Sequence, residues 1–252
     1  DRLFVMRRLL AIIFIILIVN FTSISVQASH PEDKHAAGTA FLINSDGYML
    51  TAEHVVSECI NITVVNDSGV KKSSAEVVAL NENLDLAVIK TGIIQSSFFL
   101  FTEYEPSILD HITTVGFPNP IEDTVDKNIR LKAFKGSISA SFEYDRLLEL
   151  DIFSSGGSSG APVLNNNGNV IGSLIGGMMH EFEAETFDGD IIMTRSYQTI
   201  ASDSSWIVWF LDNNNIKYKY AEGPRFEYMD DLIRMLKDTT YYVKCDLPAE
   251  EN

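Results

Sequence analysis

The chain has 252 residues, with 35 acidic against 19 basic side chains and a formal net charge of −16. That length is enough for one large hydrophobic core or two small ones. The acidic balance excludes a nucleic-acid-binding protein, because phosphates require a basic face, and it equally disfavours adhesion to anionic lipid.

The first predicted element is a secretory signal peptide over residues 1–28. Arginines precede the apolar run Leu9–Val19, and Val26-Gln27-Ala28 has the small-x-small pattern of a cleavage site. The run is short against the roughly 20 residues of a membrane span. An uncleaved membrane anchor is the alternative, because residues 21–26 add apolar length. The sequence therefore predicts an exported protein, periplasmic or extracellular, that is free of the membrane once the signal is cleaved.

Short β-type segments separated by turns that contain Gly and Asn follow from residue 37 onward. The predicted strands are 37–43, 48–51, 61–65, 75–80, 84–90, 112–116, 129–139, 146–153, 161–164, 170–175 and 191–200. Many short strands of this kind are typical of an all-β sandwich or barrel, and the lack of intervening helix-length segments disfavours a parallel α/β fold. Prolines and acidic residues at 116–126 predict the crossover between two halves.

Helical patterns come only near the C-terminus. Trp206–Leu211 is predicted to be a helix that Ser204 or Ser205 caps. Residues 213–252 are predicted to form a tail, in which Tyr228–Lys237 has apolar residues at helical spacing. We interpret that segment as a helix that docks on the β-structure.

The two cysteines, Cys59 and Cys245, leave two alternatives open. Export permits a disulfide between them, but they are far apart in sequence, and two unpaired thiols are as consistent with the pattern. Neither lies at zinc-ligand spacing from another Cys or a His, so no metal site is predicted.

Three separated segments carry residue types suited to nucleophilic catalysis. Gly157-Ser158-Ser159-Gly160-Ala161 precedes Pro162, and such a small-residue turn exposes a hydroxyl beside backbone N–H donors. A serine needs a base, and His54 lies in Thr51-Ala52-Glu53-His54-Val55. A carboxylate to orient that base is present at Asp85. In chain order these residues predict a His-Asp-Ser relay.

Each residue of the relay also has a structural explanation. His54 ends a β-type run, and a lone histidine is more often structural than catalytic. Asp85 lies in the apolar run Leu84–Ile89, where a buried carboxylate needs a donor. A histidine N–H would serve, and so would the backbone of the preceding turn. The structural explanation for Ser159 is a flexible Gly/Ser loop, although Pro162 and the strand after it indicate that the turn is held in place.

Four motifs in this order resemble those of trypsin-like serine peptidases, most closely the bacterial HtrA-type group. They are Gly38-Thr39-Ala40-Phe41, Thr51-Ala52-Glu53-His54-Val55, Leu84-Asp85-Leu86-Ala87-Val88 and Gly157-Ser158-Ser159-Gly160-Ala161-Pro162. The resemblance covers about residues 36–212. It implies an all-β fold of two perpendicular six-stranded antiparallel β-barrels, at about 36–117 and 127–200, with a C-terminal helix at about 204–212.

The resemblance also assigns expected roles around a cleft between the barrels. His54 and Asp85 come from the first barrel and Ser159 from the second, with the backbone N–H groups of Gly157 and Ser159 as the oxyanion hole. Substrate backbone is expected to pair with the strand edge at 175–177, by β-augmentation. The residues of that edge are Ile175, Gly176 and Gly177. No cofactor is required.

Departures from the family pattern limit what the resemblance implies. Ser158 stands where the family has Asn or Asp, and Ala161 replaces Gly or Ser. The tail is too short for a PDZ-type module, so regulated oligomeric behaviour is not carried over. Phe153 stands near the expected floor of the primary pocket, where the lack of an acid disfavours cleavage after Lys or Arg. The acidic stretch at 181–190 suits basic substrates or calcium, but a solvated hairpin is preferred.

The sequence thus predicts an exported serine endopeptidase that acts on proteins or peptides through an acyl-enzyme. One alternative is an inactive secreted peptide-binding module of the same fold. Another is an esterase with Ser158 in a G-x-S-x-G elbow. The esterase needs an acid and then a histidine after its serine, and the only downstream histidine, His180, follows no such acid.

Overall fold

A computed structural model describes residues 35–118, 129–142, 146–185, 188, 191–223 and 229–248. The predicted signal peptide, residues 1–28, lies outside these. Within them, no helix combines the length and apolar character that crossing a membrane requires.

The secondary structure is mostly β. The first six described strands are β1 (His35–Leu42), β2 (Tyr48–Thr51), β3 (Asn61–Asn66), β4 (Lys72–Asn81), β5 (Leu86–Thr91) and β6 (His111–Gly116). The next six are β7 (Lys132–Phe142), β8 (Leu147–Leu150), β9 (Pro162–Leu164), β10 (Val170–Glu185), β11 (Ile191–Asp203) and β12 (Thr240–Asp246). The helices are α1 (Glu53–Val56), α2 (Ser204–Asn213) and α3 (Met229–Thr239), with a 3-10 turn at Glu82–Leu84.

The described strands close into two antiparallel barrels, with the strand orders β1-β12-β3-β4-β5-β2 and β10-β11-β8-β7-β6-β9. The predicted class, two six-stranded antiparallel barrels with a helix after the second, is confirmed. Closure removes the unpaired strand edges that an open sheet of this length would expose.

The first barrel takes its sixth strand from the C-terminal segment, where the sequence predicted only a docking helix. β12 lies between β1 and β3, with Ala36 opposite Cys245 and Val64 opposite Val243. Helix α3 leads directly into this strand, and Tyr241 and Val243 are fully buried. The first barrel therefore extends beyond the expected 36–117 limits. It also lacks β6, which was expected in it but pairs with β7 and β9 in the second barrel. The chain thus passes from one barrel to the other between β5 and β6, and the predicted crossover at 116–126 is wrong.

Three apolar clusters form the core of the described part of the chain. One fills the first barrel and includes Leu42, Ile89 and Val243, and a second fills the other barrel around Ile138 and Leu148. The third draws residues from both barrels and from α2 and α3. Because that cluster joins the barrels, the strand ends and turns between the barrels pack on one shared hydrophobic core.

Cys59 and Cys245 form a disulfide, which decides between the two alternatives that the sequence left open. The bond ties the segment after α1 to β12. In α2, the N-cap is Asp203 rather than the predicted Ser204 or Ser205, because an Asp203 carboxylate oxygen accepts the N–H groups of Ser205 and Trp206 at 2.8 and 3.2 Å.

Candidate active site

His54 lies on the short helix α1, three residues beyond the end of β2 at Thr51, whereas the sequence predicted that it closes a β-type run. The next two residues, Val55 and Val56, are buried in the first barrel and fix the helix there. The His54 side chain is 52% exposed. The helix thus anchors its apolar side in the core and presents an imidazole at the surface.

Asp85 lies just before β5 and not within it. The residue ends the 3-10 turn in the left-handed region, with φ of 49°, a conformation that Asp tolerates better than most residues. Two hydrogen bonds hold the turn: Leu84 N–H donates to the Asn81 side chain at 3.1 Å, and the Ser202 hydroxyl donates to the Leu84 carbonyl at 3.0 Å. Since Ser202 belongs to β11, the second barrel helps to fix the carboxylate.

The Asp85 carboxylate binds both the ring and the backbone of His54. Nδ1 of His54 lies 2.9 Å from Oδ1 and 2.8 Å from Oδ2, and the His54 N–H donates to Oδ1 at 3.0 Å. The hydrogen bond to the carboxylate raises the pKa of the imidazole above its ordinary 6.5, while partial burial acts in the opposite, lowering direction. With Nδ1 donating to the carboxylate, Nε2 is the basic nitrogen of the neutral ring.

Ser159 is the second residue of the second of two consecutive tight turns. Ser158 N–H donates to the Ser155 carbonyl at 2.9 Å, and Ala161 N–H donates to the Ser158 carbonyl at 3.0 Å. The third residues of the turns are Gly157 and Gly160, with φ of 89° and 83°, the backbone that a type II turn requires there. A Cβ at Gly160 would lie 2.2 Å from the Thr39 carbonyl oxygen, so only glycine fits.

Thr39 of β1 fastens this turn to the first barrel. Its N–H donates to the Ser159 carbonyl at 2.8 Å, and its buried hydroxyl donates to the Gly157 carbonyl at 2.8 Å. The same hydroxyl oxygen accepts the Phe117 N–H at 3.1 Å, while the Thr39 carbonyl accepts the Thr51 hydroxyl at 2.7 Å. The hydrogen bonds to Thr39 thus hold the turn in place, and the sequence pattern does not reveal them.

Three polar groups of this turn have no hydrogen-bond partner within the described chain. Neither the Gly157 nor the Ser159 N–H donates a hydrogen bond to a described residue, and the Ser159 hydroxyl has no hydrogen bond to one either. The ring of His54 and that hydroxyl are therefore not yet bonded to each other. In unliganded enzymes such contacts are often long and close only when substrate binds.

The β10 edge runs beside Ser159. A Cβ built at Gly176 would lie 4.0 Å from the Ser159 Oγ, and the Leu174 carbonyl accepts the Gly160 N–H at 2.7 Å. Ile175 and Gly176 are half-buried, and Gly177 is exposed. The structure thus places the predicted substrate edge directly next to the predicted nucleophile.

Tyr197 of β11 occupies the region where the primary pocket was expected, and the sequence analysis did not identify it. Its hydroxyl bonds to the hydroxyl of the buried Ser154 at 2.8 Å and also donates to the Ser154 carbonyl. A Cβ at Gly177 would overlap that hydroxyl. Phe153 is 65% exposed and packs its ring 5.3 Å from the Tyr197 ring. Of this pair, Ser154 is buried, whereas Tyr197 is 38% exposed.

No cluster of His, Cys, Asp or Glu among the described residues could hold a metal ion. The model of the trypsin-like peptidase domain family matches residues 38–172, more than half of the chain. The chain belongs to the trypsin-like peptidase family. The matched span of this trypsin-like peptidase includes His54, Asp85 and Ser159.

Curated relatives support the same family. Over 139 residues the chain is 29% identical to the magnetosome formation protease MamE of Paramagnetospirillum magneticum, covering 54% of this chain and 19% of that protein. Over 148 residues it is 30% identical to a probable periplasmic serine endoprotease, DegP-like, of Chlamydia trachomatis, covering 58% and 29%. The trypsin-like peptidase thus spans less than a third of the length of these relatives.

A solved structure has the same fold. The crystal structure of the serine endoprotease from Yersinia pestis superposes with a TM-score of 0.55 at 21% sequence identity, over 70% of this chain and 57% of that one. At that identity the likeness concerns the fold of the trypsin-like peptidase alone.

Proposed function

We propose that this trypsin-like peptidase is an exported serine endopeptidase that hydrolyses peptide bonds through an acyl-enzyme. Ser159 is the nucleophile, His54 the general base and then the general acid, and Asp85 the group that orients His54. The observation that carries the proposal is the paired contact of His54 Nδ1 with both Asp85 oxygens, at 2.9 and 2.8 Å. That contact leaves Nε2 as the proton acceptor.

The reaction follows from these positions. Ser159 Oγ attacks the carbonyl carbon of the substrate while its proton passes to His54 Nε2. The tetrahedral intermediate collapses, the C–N bond breaks, and the imidazolium returns the proton to the leaving amine. Water then repeats the sequence on the acyl-enzyme and releases the acid. Asp85 stays ionised throughout and stabilises the imidazolium.

The oxyanion hole is formed by Gly157 and Ser159 in this proposal. Their N–H groups are uncommitted within the described chain, while the Gly157 and Ser159 carbonyls are both bonded to Thr39. Each of these N–H groups lies one peptide plane before a carbonyl that the first barrel fixes. The hydrogen bonds to Thr39 therefore restrict the orientation of the donors before negative charge develops.

Two further observations support the proposal. The hydroxyl of Ser158 is buried and accepts the Ser155 N–H at 3.4 Å, so it belongs to the turn and is poorly placed as the nucleophile of an esterase. The Cys59–Cys245 disulfide is typical of proteins that fold in an oxidising compartment, which supports export. Protein or peptide substrates fit a strand edge beside Ser159.

A pair of serine variants tests the proposal. Ser159→Ala should abolish hydrolysis of an unfolded protein substrate, while the adjacent Ser158→Ala should retain most of it. The unfolding temperature of each variant, compared with that of the wild type, controls for loss of fold. Retained hydrolysis in Ser159→Ala, or loss confined to Ser158→Ala, would place the nucleophile elsewhere. Substrate binding by a folded wild-type protein without turnover would favour the peptide-binding module.

A further inference from the structure

Beyond the second barrel, β10 and β11 continue as a two-stranded ribbon. Their pairing runs from Gly172 opposite Asp203 to Glu185 opposite Ile191. The strands that flank them end much sooner: β9 pairs with β10 only as far as Ser173, and β8 reaches β11 only from Thr199 onward. From Gly177 to Glu185, β10 pairs with β11 alone among the described strands, so its other edge is open.

The direction of the backbone groups on that edge follows from strand alternation. Leu174 bonds the nucleophile turn with both its N–H and its carbonyl, so it faces away from β11. The backbone N–H and carbonyl of its partner Ala201 therefore point towards β8, and those of the neighbouring Ile200 point towards β10. Ile200 lies opposite Gly176, after an irregularity that adds one residue to β10. Gly176 thus bonds β11, and Gly177 faces the open edge.

The same alternation continues along the ribbon. Met179, Glu181 and Glu183 follow Gly177 at intervals of two residues, and their backbone N–H and carbonyl groups face the open edge. The edge is continuous with the one that lies beside Ser159. It therefore offers backbone groups that no described strand pairs, over a longer distance than the residues next to a cleaved bond require.

We propose that this open edge extends the substrate-binding strand of the peptidase, so that β10 binds up to about nine substrate residues on the N-terminal side of the cleaved bond. The proposal rests on the proposed function. The substrate runs antiparallel to β10, with its first and third residues before the bond at Ile175 and Gly177. The fifth, seventh and ninth then pair with Met179, Glu181 and Glu183.

The charge of the ribbon indicates which substrate side chains the extended site favours. The sequence from 177 to 198 contains Glu181, Glu183, Glu185, Asp188 and Asp190, and Arg195 is its single Lys or Arg residue. Glu183 is exposed. An incoming strand with Lys or Arg at its seventh to ninth positions is therefore attracted, and an acidic one is repelled.

The extension also has a structural consequence. An isolated two-stranded ribbon is only marginally stable in water, and a third strand improves it. Substrate bound along the edge supplies that strand. Long, unfolded and basic polypeptides are accordingly better substrates than short peptides of the same sequence around the cleaved bond.

Peptides of graded length test the proposal. All share one cleavable core and extend four, six or nine residues before the bond, with lysine or alanine in the extension. We expect kcat/KM to rise at least about tenfold from four to nine residues, and more with lysine at low salt. N-methylation of the fifth or seventh amide should remove the gain, whereas N-methylation of the sixth, which faces away from β10, should not.

Variants on the ribbon test the charge. Glu183→Gln should reduce the preference for lysine over alanine in the nine-residue peptide and leave the four-residue peptide unaffected. The control is Glu76→Gln, an exposed residue on β4 of the first barrel. An unchanged preference in Glu183→Gln would remove the acidic ribbon from recognition.

The failures of the two proposals are distinguishable. Equal cleavage of short and long peptides overturns the extension and leaves the peptidase intact. If no peptide is cleaved, the binding of fluorescently labelled forms of the same peptides to Ser159→Ala tests the extension separately. Binding that increases with length and is weakened by N-methylation of the fifth or seventh amide supports the proposed extension. Binding that does not depend on length overturns it. Should the edge instead pair with a second copy of the chain, sedimentation would show a dimer and length would have no effect.

Discussion

The hydroxyl of Thr39 donates a buried hydrogen bond of 2.8 Å to the carbonyl of Gly157, which joins the first strand of one barrel to the nucleophile turn of the other. A second bond runs from the Thr39 N–H to the Ser159 carbonyl. The proposed donors of the oxyanion hole belong to the same two residues whose carbonyls are held in this way. Their orientation therefore depends on how the two barrels are packed together.

Replacement of Thr39 tests that dependence. Thr39→Val keeps the shape but leaves the Gly157 carbonyl and the Phe117 N–H without their hydroxyl partner. We expect stability to fall by about 1–3 kcal/mol, and kcat to fall by at least about tenfold with little change in KM. Denaturant unfolding and steady-state kinetics measure the two effects.

The control for this change is Thr39→Ser, which restores the hydroxyl. It should recover most of kcat. If Thr39→Val lost stability but kept its full kcat, the threonine would have a structural role only.

Removal of the negative charge at Asp85 tests the orienting role. Asp85→Asn cannot hold the Nδ1–H tautomer of His54, so we expect kcat to fall by about 10⁴-fold. Single-turnover kinetics with an ester substrate measure the chemical step. Because asparagine has nearly the same shape as aspartate, the circular dichroism spectrum should not change; a loss of kcat under tenfold would exclude Asp85 from the mechanism.

The raised pKa of His54 predicts the pH dependence of activity. A general base must be neutral, so kcat/KM should fall as the pH falls through a pKa that lies above 6.5. In Asp85→Asn the residual activity should titrate at a lower pH, since the carboxylate is what raises the pKa. A titration at or below 6.5 in the wild type would disagree with the His54–Asp85 contact.

The contribution of the His54–Asp85 contact to stability depends on pH in the opposite direction from activity. The protonated imidazole is favoured by folding, so the contribution is fully present below about pH 6.5. It is lost as the pH rises through the raised pKa of the folded state. Comparison of unfolding free energies of the wild type and His54→Ala across this range measures it.

The disulfide ties the C-terminal strand into the first barrel, so its removal should loosen β12. The double variant Cys59→Ala/Cys245→Ala is expected to lose roughly 2–5 kcal/mol of stability, because a long loop is no longer closed in the unfolded chain. Thermal unfolding with and without reductant measures the loss. Reductant should lower the unfolding temperature of the wild type and leave that of the double variant unchanged; equal sensitivity would argue against the bond.

Much of the fold was predictable because each strand before the C-terminal helices is short, β-rich and bounded by turn residues. β12 was not predicted, since it follows α3 without a turn, and Tyr228–Lys237 dominated the pattern there. β10 was expected to end at 175, because two glycines come next. In the structure Gly177 stays within the strand, and the Tyr197 hydroxyl fills the space that a side chain would occupy.

The candidate site was predictable in part for a different reason. His54, Asp85 and Ser159 are chemically distinctive residues in ordered motifs, so the pattern alone nominated them. Thr39 and Tyr197 each lie on a strand and contact a turn or loop residue that is more than 40 residues away in sequence. Threonine and tyrosine are common in any strand, and nothing local marks these two.

Covalent labelling tests the central claim most directly. The folded protein is treated with an organophosphonate, which transfers its phosphonyl group to an activated serine oxygen with loss of the leaving group, and the modified peptide is mapped by mass spectrometry. The account predicts one adduct on Ser159 in the wild type and almost none in Asp85→Asn. An adduct on Ser158, or none on Ser159 while the protein is folded at neutral pH, would contradict it.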